Sequence, residues 1–209
     1  FILSYCDRAL GITSAEEQPV LPKGNNLSLY LLELFTSQVA KVGMTDGIRQ
    51  VLQEESDALR AYYEQAGILI ARPAGGTSCR LAISAKGGTN AENHNHNDVG
   101  SYAVALGSET MVGDQGGPNS YPGDYFNGDA PQKYKIKGSF GHPVPVVDGR
   151  TQSSGGKAKG VVLQKEFTNE KDVFSIDYTS AYSTPNLDKL IRTFVYDRQG
   201  KGSFLSLIH

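Results

Sequence analysis

The sequence predicts an α+β multidomain fragment in which helices precede an antiparallel β-sandwich or barrel. Two observations lead to this prediction. Apolar residues recur with helical period in the first third of the chain, and from Ile68 onward short β-branched segments alternate with Gly, Pro, Asn and Asp. No helical pattern separates the later segments, which favours antiparallel over parallel strands.

The helical part is expected to end near Gly67. Asn25 or Asn26 can cap a first helix, and a second helix is expected to begin at Thr45, to carry Leu59 on its apolar face and to end at Gly67. Two or three helices cannot enclose a core by themselves. We therefore expect residues 1–66 to complete a larger helical domain that lies upstream, so that the chain is a fragment of a longer protein.

The β part is predicted from segments of strand length between turn residues. A hairpin turn over 198–202 is expected to join the last two strands, and 153–157 is expected to be a flexible loop. The predicted strands are Ile68–Arg72, Arg80–Ala85, Ser101–Leu106, Glu109–Val112, Val144–Val147, Gly160–Phe167, Val173–Tyr178, Ile191–Tyr196 and Ser203–Ile208.

Composition limits the classes of partner. The 209 residues include 20 Lys and Arg against 22 Asp and Glu, a formal charge of −2, so no basic surface for nucleic acid is predicted. No run of apolar residues is long enough to predict a membrane-spanning helix. The two cysteines form no metal or redox motif and are interpreted as buried thiols.

The segment 93–98, Asn-His-Asn-His-Asn-Asp, holds the densest chemistry in the chain. If it were a strand, His94, His96 and Asp98 would share one face, because side chains alternate with a period of two. A solvated loop could hold the same residues at no cost, since nothing would then be buried. Further His and Asp residues elsewhere in the chain make a metal site the favoured interpretation.

Asp114 follows a predicted strand and His142 precedes one, so both could join the histidine segment. Imidazole and carboxylate are ligands for zinc or iron. One possible ligand set is His96, Asp114 and His142, which leaves His94 free for proton transfer. The other is His96, Asp98 and His142, the two-histidine, one-carboxylate set of non-haem iron enzymes. Asp98 could instead hold a ring N–H of one histidine.

Tyrosines and cations follow Asp114 in the sequence. Tyr121, Tyr125 and Tyr134 could act as acid or base if their pKa values were lowered, or could stack on sugars or pack in the core. Four cations in this region could meet an anionic substrate, although surface solvation accounts for most of them: Lys133, Lys135, Lys137 and Arg150.

Three blocks of sequence resemble the heparinase II/III-like family of polysaccharide lyases. Gly87-Gly88 and the run from 90 to 102 resemble the family signature. Asp114-Gln115-Gly116 followed by Tyr121 is similar to the next block. The run 141–149 followed by Gln152 is similar to a third, with Pro143 where Asn is more usual. The blocks span roughly residues 68–152 and occur in family order. Residues 153–209 are similar to the family only in their pattern of short strand-like segments between turns.

The resemblance implies an architecture and a reaction. Residues 1–66 would be the last helices of an α/α toroid, and 67–209 a truncated antiparallel β-sandwich. The family cleaves uronic-acid polysaccharides such as alginate or glycosaminoglycans by β-elimination, with further catalytic residues on the toroid. The fragment alone would then have little or no activity. A periplasmic or secreted location also follows from the family.

The resemblance also implies roles for individual residues. His94 resembles the catalytic or substrate-neutralising histidine, and His96, Asp114 and His142 resemble the ligands of one structural Zn²⁺. Tyr121 and Tyr125 are the further catalytic candidates of this chain. The candidates for substrate binding are Asn93, Asn95, Tyr134 and Arg150.

Two other functions remain open from the residues. A metal-dependent oxygenase or cupin-like enzyme would use His96, Asp98 and His142. A non-catalytic carbohydrate-binding module would use Tyr121, Tyr125 and Tyr134 as a stacking platform, but it would have no need of the histidine segment.

Overall fold

The computed structural model describes residues 58–114, 117–118 and 120–209. These residues all belong to one compact unit, Gln53–His209. The first helix expected from the sequence, and most of the second, lie outside the described residues.

Strands are the main regular structure of the described residues, which also hold one short helix, α1 (Ala130–Lys133), and three 3-10 turns (Lys135–Lys137, Ser139–Gly141 and Thr179–Ala181). The strands are β1 Arg60–Tyr63, β2 Ile68–Ala71, β3 Leu81–Lys86, β4 Thr89–Asn90, β5 Tyr102–Leu106, β6 Glu109–Val112, β7 Gly155–Lys159, β8 Val161–Phe167, β9 Lys171–Asp177, β10 Ile191–Asp197 and β11 Ser203–Ile208.

The strands form three antiparallel sheets. The first has the order β1-β2-β3-β5-β6, the second β11-β10-β9-β8, and the third pairs β4 with β7. Neighbours in the first two sheets are close in sequence, so short hairpins and loops make most connections. The turn over 198–202 joins β10 to β11, as the sequence predicts.

The fold-class prediction of an α+β fragment with a toroid end is wrong for the described residues, which form three antiparallel sheets with almost no helix. The expected second helix would have included Arg60–Tyr63, which instead forms β1 and pairs with β2. Tyr62 packs edge-on against Phe167 and Phe174 of the other sheet. Gly67 has φ +61°, a conformation that suits a helix C-cap and also a hairpin turn. Tertiary pairing with β2 decides between the two.

Two other predictions are corrected. The segment 153–157, expected to be a flexible loop, leads into β7, whose ends pair with Thr89 and Asn90. The segment 144–147, expected to be a strand, makes only an isolated bridge between Val147 and Arg150. The remaining predicted strands are present, with ends that move by one or two residues.

The core lies between the two larger sheets. Leu69 and Ile83 of the first sheet pack with Phe174 and Phe194 of the second, each at most 3% exposed. Burying a side chain of this size stabilises a fold by roughly 1.5–3 kcal/mol. The Tyr196 hydroxyl also donates to the carbonyl oxygen of Leu81 at 2.6 Å, which joins β10 to β3. This two-layered arrangement supports the loops that hold the histidines.

A buried ion-pair network joins the layers at one end. The side chain of Asp172 is fully buried and accepts from Arg60 and Arg198. Arg198 also donates to the carbonyl oxygens of Leu59 and Arg72. A buried carboxylate of this kind is tolerated because two guanidinium groups pair with it, one of them buried as well. The network thereby anchors β1 beside the second sheet.

Candidate metal centre and adjoining pocket

The histidine segment is a loop between β4 and β5. Its side chains therefore do not alternate as they would on a strand: His94 is exposed, His96 is half-buried and Asp98 is buried. His94 has φ +59°, a left-handed conformation that a residue with a side chain adopts only when its surroundings impose it. The loop thus separates the two histidines into different environments.

Hydrogen bonds to Gln152 anchor this loop. Its side-chain amide donates to the Val99 carbonyl at 2.6 Å, and its oxygen accepts from the Val99 N–H and from Asn90 Nδ2, both at 3.0 Å. The Asn97 amide donates to the Gln152 carbonyl at 3.1 Å, and the Gln152 N–H donates to the Ser139 hydroxyl. Gln152 is 1% exposed, so every bond in this network is shielded from water. The network fixes the backbone on both sides of His96.

The structure brings His96, Asp114 and His142 together, which is one of the two sets that the residue types leave open and the one that the resemblance implies. The ligand atoms of these three residues all lie within 4.8 Å of one another. His96 Nδ1 lies 3.1 Å from His142 Nε2, and His142 Nδ1 lies 2.8 Å from Asp114 Oδ2. His142 is buried, His96 half-buried and Asp114 exposed, so the cluster opens to solvent on the carboxylate side.

His142 follows the 3-10 turn Ser139–Gly141. A side chain at Gly141 would meet the Ile136 carbonyl oxygen at 2.5 Å, so the chain needs glycine to turn sharply before His142. Arg192 of β10 then joins this segment to the histidine loop: its Nη1 donates to the carbonyls of Gly100 at 2.8 Å and Pro143 at 2.6 Å. The segments that carry His96 and His142 are therefore fastened to one buried guanidinium.

The cluster fits a zinc ion. Burial lowers the pKa of His96, and the neighbouring His142 acts in the same direction, which favours the neutral imidazole that binds metal. Two imidazoles and one carboxylate match zinc sites with an open position.

The alternative ligand set with Asp98 is not assembled. Asp98 pairs with Lys86 Nζ, and its backbone N–H donates to Asn90 Oδ1. It does not belong to the cluster of His96, Asp114 and His142, and no hydrogen bond between Asp98 and a histidine ring is found in the described part of the chain. Asp98 therefore anchors the loop to β3.

An open pocket of about 490 Å³ adjoins the histidine loop. His94 lines it and stacks on Phe126, with ring centroids 4.4 Å apart. The predicted substrate-binding residues Asn93 and Asn95 also line it. The remaining lining residues are Asn90, Glu92, Asn97, Phe126, Asn127, Gly128, Pro131, Lys137, Ser154 and Gly155. The wall is therefore rich in amides, which suit the hydroxyl groups of a sugar.

The predicted tyrosines do not line this pocket. Tyr125 is 1% exposed, and burial raises its pKa, the opposite of what a tyrosine base requires. Tyr134 donates its hydroxyl to Asp124, which raises the pKa of Tyr134. Tyr121 is exposed and packs 4.9 Å from Tyr125, centroid to centroid. These side chains form an aromatic cluster behind Phe126, and they do not form a flat stacking platform.

Arg150, predicted to bind substrate, is exposed and donates to the Ser183 carbonyl away from the pocket. Sequence reasoning did not identify Phe126, the structural role of Gln152, or Arg192 as the link between loops. The Phe126 and Arg192 contacts join segments far apart in the chain, so no local pattern identifies them. Gln152 was visible only as part of the third family block.

Comparison of the chain with models of known protein families and with curated proteins returns no match. Among the described residues, no helix has the length and apolar character needed to cross a bilayer.

Proposed function

We propose that this chain carries the substrate site of a polysaccharide lyase that cleaves uronic-acid-containing polysaccharide by β-elimination. The observation that carries the proposal is the placement of His94. It is the one predicted catalytic residue that lines the pocket, and it stands two residues before His96 of the metal cluster. The amide-rich wall and the exposed imidazole together suit a polyhydroxylated substrate and a proton transfer.

His94 is the proton-transfer residue of the proposed reaction. The C5–H bond of the uronate breaks, its electron pair forms the C4–C5 double bond, and the bond from C4 to the glycosidic oxygen breaks. The neutral imidazole accepts the C5 proton, and the imidazolium that forms returns this proton to the departing oxygen. The amides of Asn93 and Asn95 donate to the substrate carboxylate as negative charge grows on it.

His96, Asp114 and His142 would hold one zinc ion with a positioning role. Bound zinc would supply positive charge and fixed bonds to the histidine loop. The chain's own contribution is the loop conformation itself: the left-handed backbone at His94 keeps its ring against Phe126 while His96 belongs to the cluster. Small displacements of a catalytic group are costly to rate, so this support matters.

The test combines binding and turnover. Zinc-loaded protein is titrated with unsulfated oligouronates by calorimetry. Turnover is followed on protein that also carries the α/α toroid, since the proposed reaction needs the further catalytic residues expected there. That protein is incubated with a panel of alginates and glycosaminoglycans while the ultraviolet absorbance of unsaturated uronate is followed. His94→Ala is compared with His209→Ala, a matched substitution at an exposed histidine that does not line the pocket. We expect unsaturated product from wild type and His209→Ala, reduced about 100-fold or more by His94→Ala.

Two outcomes would contradict the proposal. Absence of both binding and product across the panel would exclude the lyase function. Binding without product, unchanged by His94→Ala, would instead indicate a carbohydrate-binding module.

A further inference from the structure

Lys137 is an unusually buried lysine. It is 3% exposed, and its Nζ donates at 2.8 Å to the Tyr125 carbonyl. The same Nζ lies 4.7 Å from the ring centroid of Tyr125 and 5.1 Å from that of Phe126. An ammonium offers three donors, so one hydrogen bond leaves most of its capacity unused. Within the part of the chain that the structure describes, no Asp or Glu forms an ion pair with it.

A buried cation without a carboxylate is expensive to keep. Lysines are almost never fully buried unless they are paired, because water no longer solvates the charge. The two aromatic rings offset part of this cost through cation–π attraction. Burial still lowers the pKa of Lys137, and no anion among the described residues opposes this shift. The ammonium group of Lys137 could therefore pair with an anion from a ligand, since the described residues do not supply one.

The position of Lys137 identifies where that anion would bind. Lys137 lines the same pocket as His94, and Phe126 contacts both side chains. Its backbone is fixed as well, since the Lys137 carbonyl accepts from the Asn97 N–H of the histidine loop at 2.8 Å. A rigid backbone and a packed side chain preorganise the ammonium, which reduces the entropy that binding would cost.

We propose that Lys137 is the specificity-determining residue of the pocket and that its ammonium binds the carboxylate of a uronic-acid residue. The identity of the anion rests on the proposed function. The buried cation at a pocket wall rests on the structure alone. The consequence is selection of uronates over neutral sugars of the same shape, because a ligand without the carboxylate leaves the buried charge unpaired.

The experiment compares two ligands and three variants by calorimetry with zinc-loaded protein. The ligands are a short unsulfated oligouronate and the same oligosaccharide with its carboxyl groups reduced to alcohols, so the carboxylate is the only anion tested. The variants are Lys137→Met, Lys137→Arg and, as matched control, Lys135→Met at an exposed neighbour. We expect wild type and Lys135→Met to bind the oligouronate at least about tenfold more tightly than the reduced ligand.

Lys137→Met should bind both ligands alike and should unfold at an equal or higher urea concentration than wild type, because it removes a buried unpaired charge. Lys137→Arg should retain part of the preference. If the wild type bound the two ligands equally, the inference would be overturned. This comparison needs no variant, so it holds even if Lys137→Met fails to fold. That result, together with a loss of turnover in His94→Ala, would leave the lyase proposal standing. No binding of either ligand would overturn both proposals.

Discussion

His96 Nδ1 and His142 Nε2 lie 3.1 Å apart although the two residues are 46 positions apart in the chain. Neither histidine belongs to a strand or a helix, so their approach depends on how the two loops are fastened to the sheets. Gln152 fastens the first loop, and Arg192 joins both. Substitutions of Gln152 and Arg192 therefore test the site as directly as substitutions of the cluster itself.

Arg192→Lys should weaken zinc binding about tenfold, at the low end of the range for residues that orient metal ligands. A lysine keeps the charge but cannot reproduce the guanidinium that reaches Gly100 and Pro143 together. Zinc affinity is measured by competition with a chromophoric chelator. Arg150→Lys, at an exposed arginine, is the control and should match wild type. A folded Arg192→Lys protein with unchanged zinc affinity would contradict the role given to this residue.

Gln152→Met should lower the free energy of unfolding by about 2–4 kcal/mol. The substitution leaves the buried polar groups of Val99 and Asn90 without their hydrogen-bond partner. Urea denaturation measures the change. Gln164→Met in β8 is the matched control at an exposed glutamine and should change stability by less than about 0.5 kcal/mol. If Gln152→Met cost no more than the control, the network would not be what holds the histidine loop.

The raised pKa of Tyr182 leads us to expect a loss of stability at alkaline pH. Burial raises its pKa to about 12 from the ordinary 10.0, and its hydroxyl donates to the Pro145 carbonyl at 2.5 Å. The unfolded state therefore loses this proton first. Stability from this group is complete below pH 10 and falls as the pH rises toward 12, by about 3 kcal/mol in total.

Urea titrations at several pH values measure this fall, which should be smaller in Tyr182→Phe and unchanged in Tyr121→Phe, where the tyrosine is exposed. Equal pH dependence in wild type and Tyr182→Phe would show that Tyr182 does not carry the effect.

The sequence predicts most strands of the fold because alternation and turn residues act locally. It fails at β1, where the apolar spacing suits a helix and only pairing with β2 produces a strand. For the metal cluster, residue types alone leave Asp98 and Asp114 as alternative ligands. In the structure Asp98 pairs with Lys86, 12 residues away, whereas Asp114 belongs to the cluster. Lys137 is likewise interpreted from sequence as one cation among several, since its burial depends on tertiary packing.

The most direct test of the account is the zinc content of matched asparagine variants. After exposure to zinc and removal of excess metal, wild type and Asp98→Asn should each retain about one zinc ion per chain, because Asp98 pairs with Lys86 outside the cluster. Asp114→Asn and His96→Ala should retain none. Retention of zinc by Asp114→Asn together with its loss from Asp98→Asn would contradict the assigned ligands, and a wild-type protein that binds no zinc would contradict the site itself.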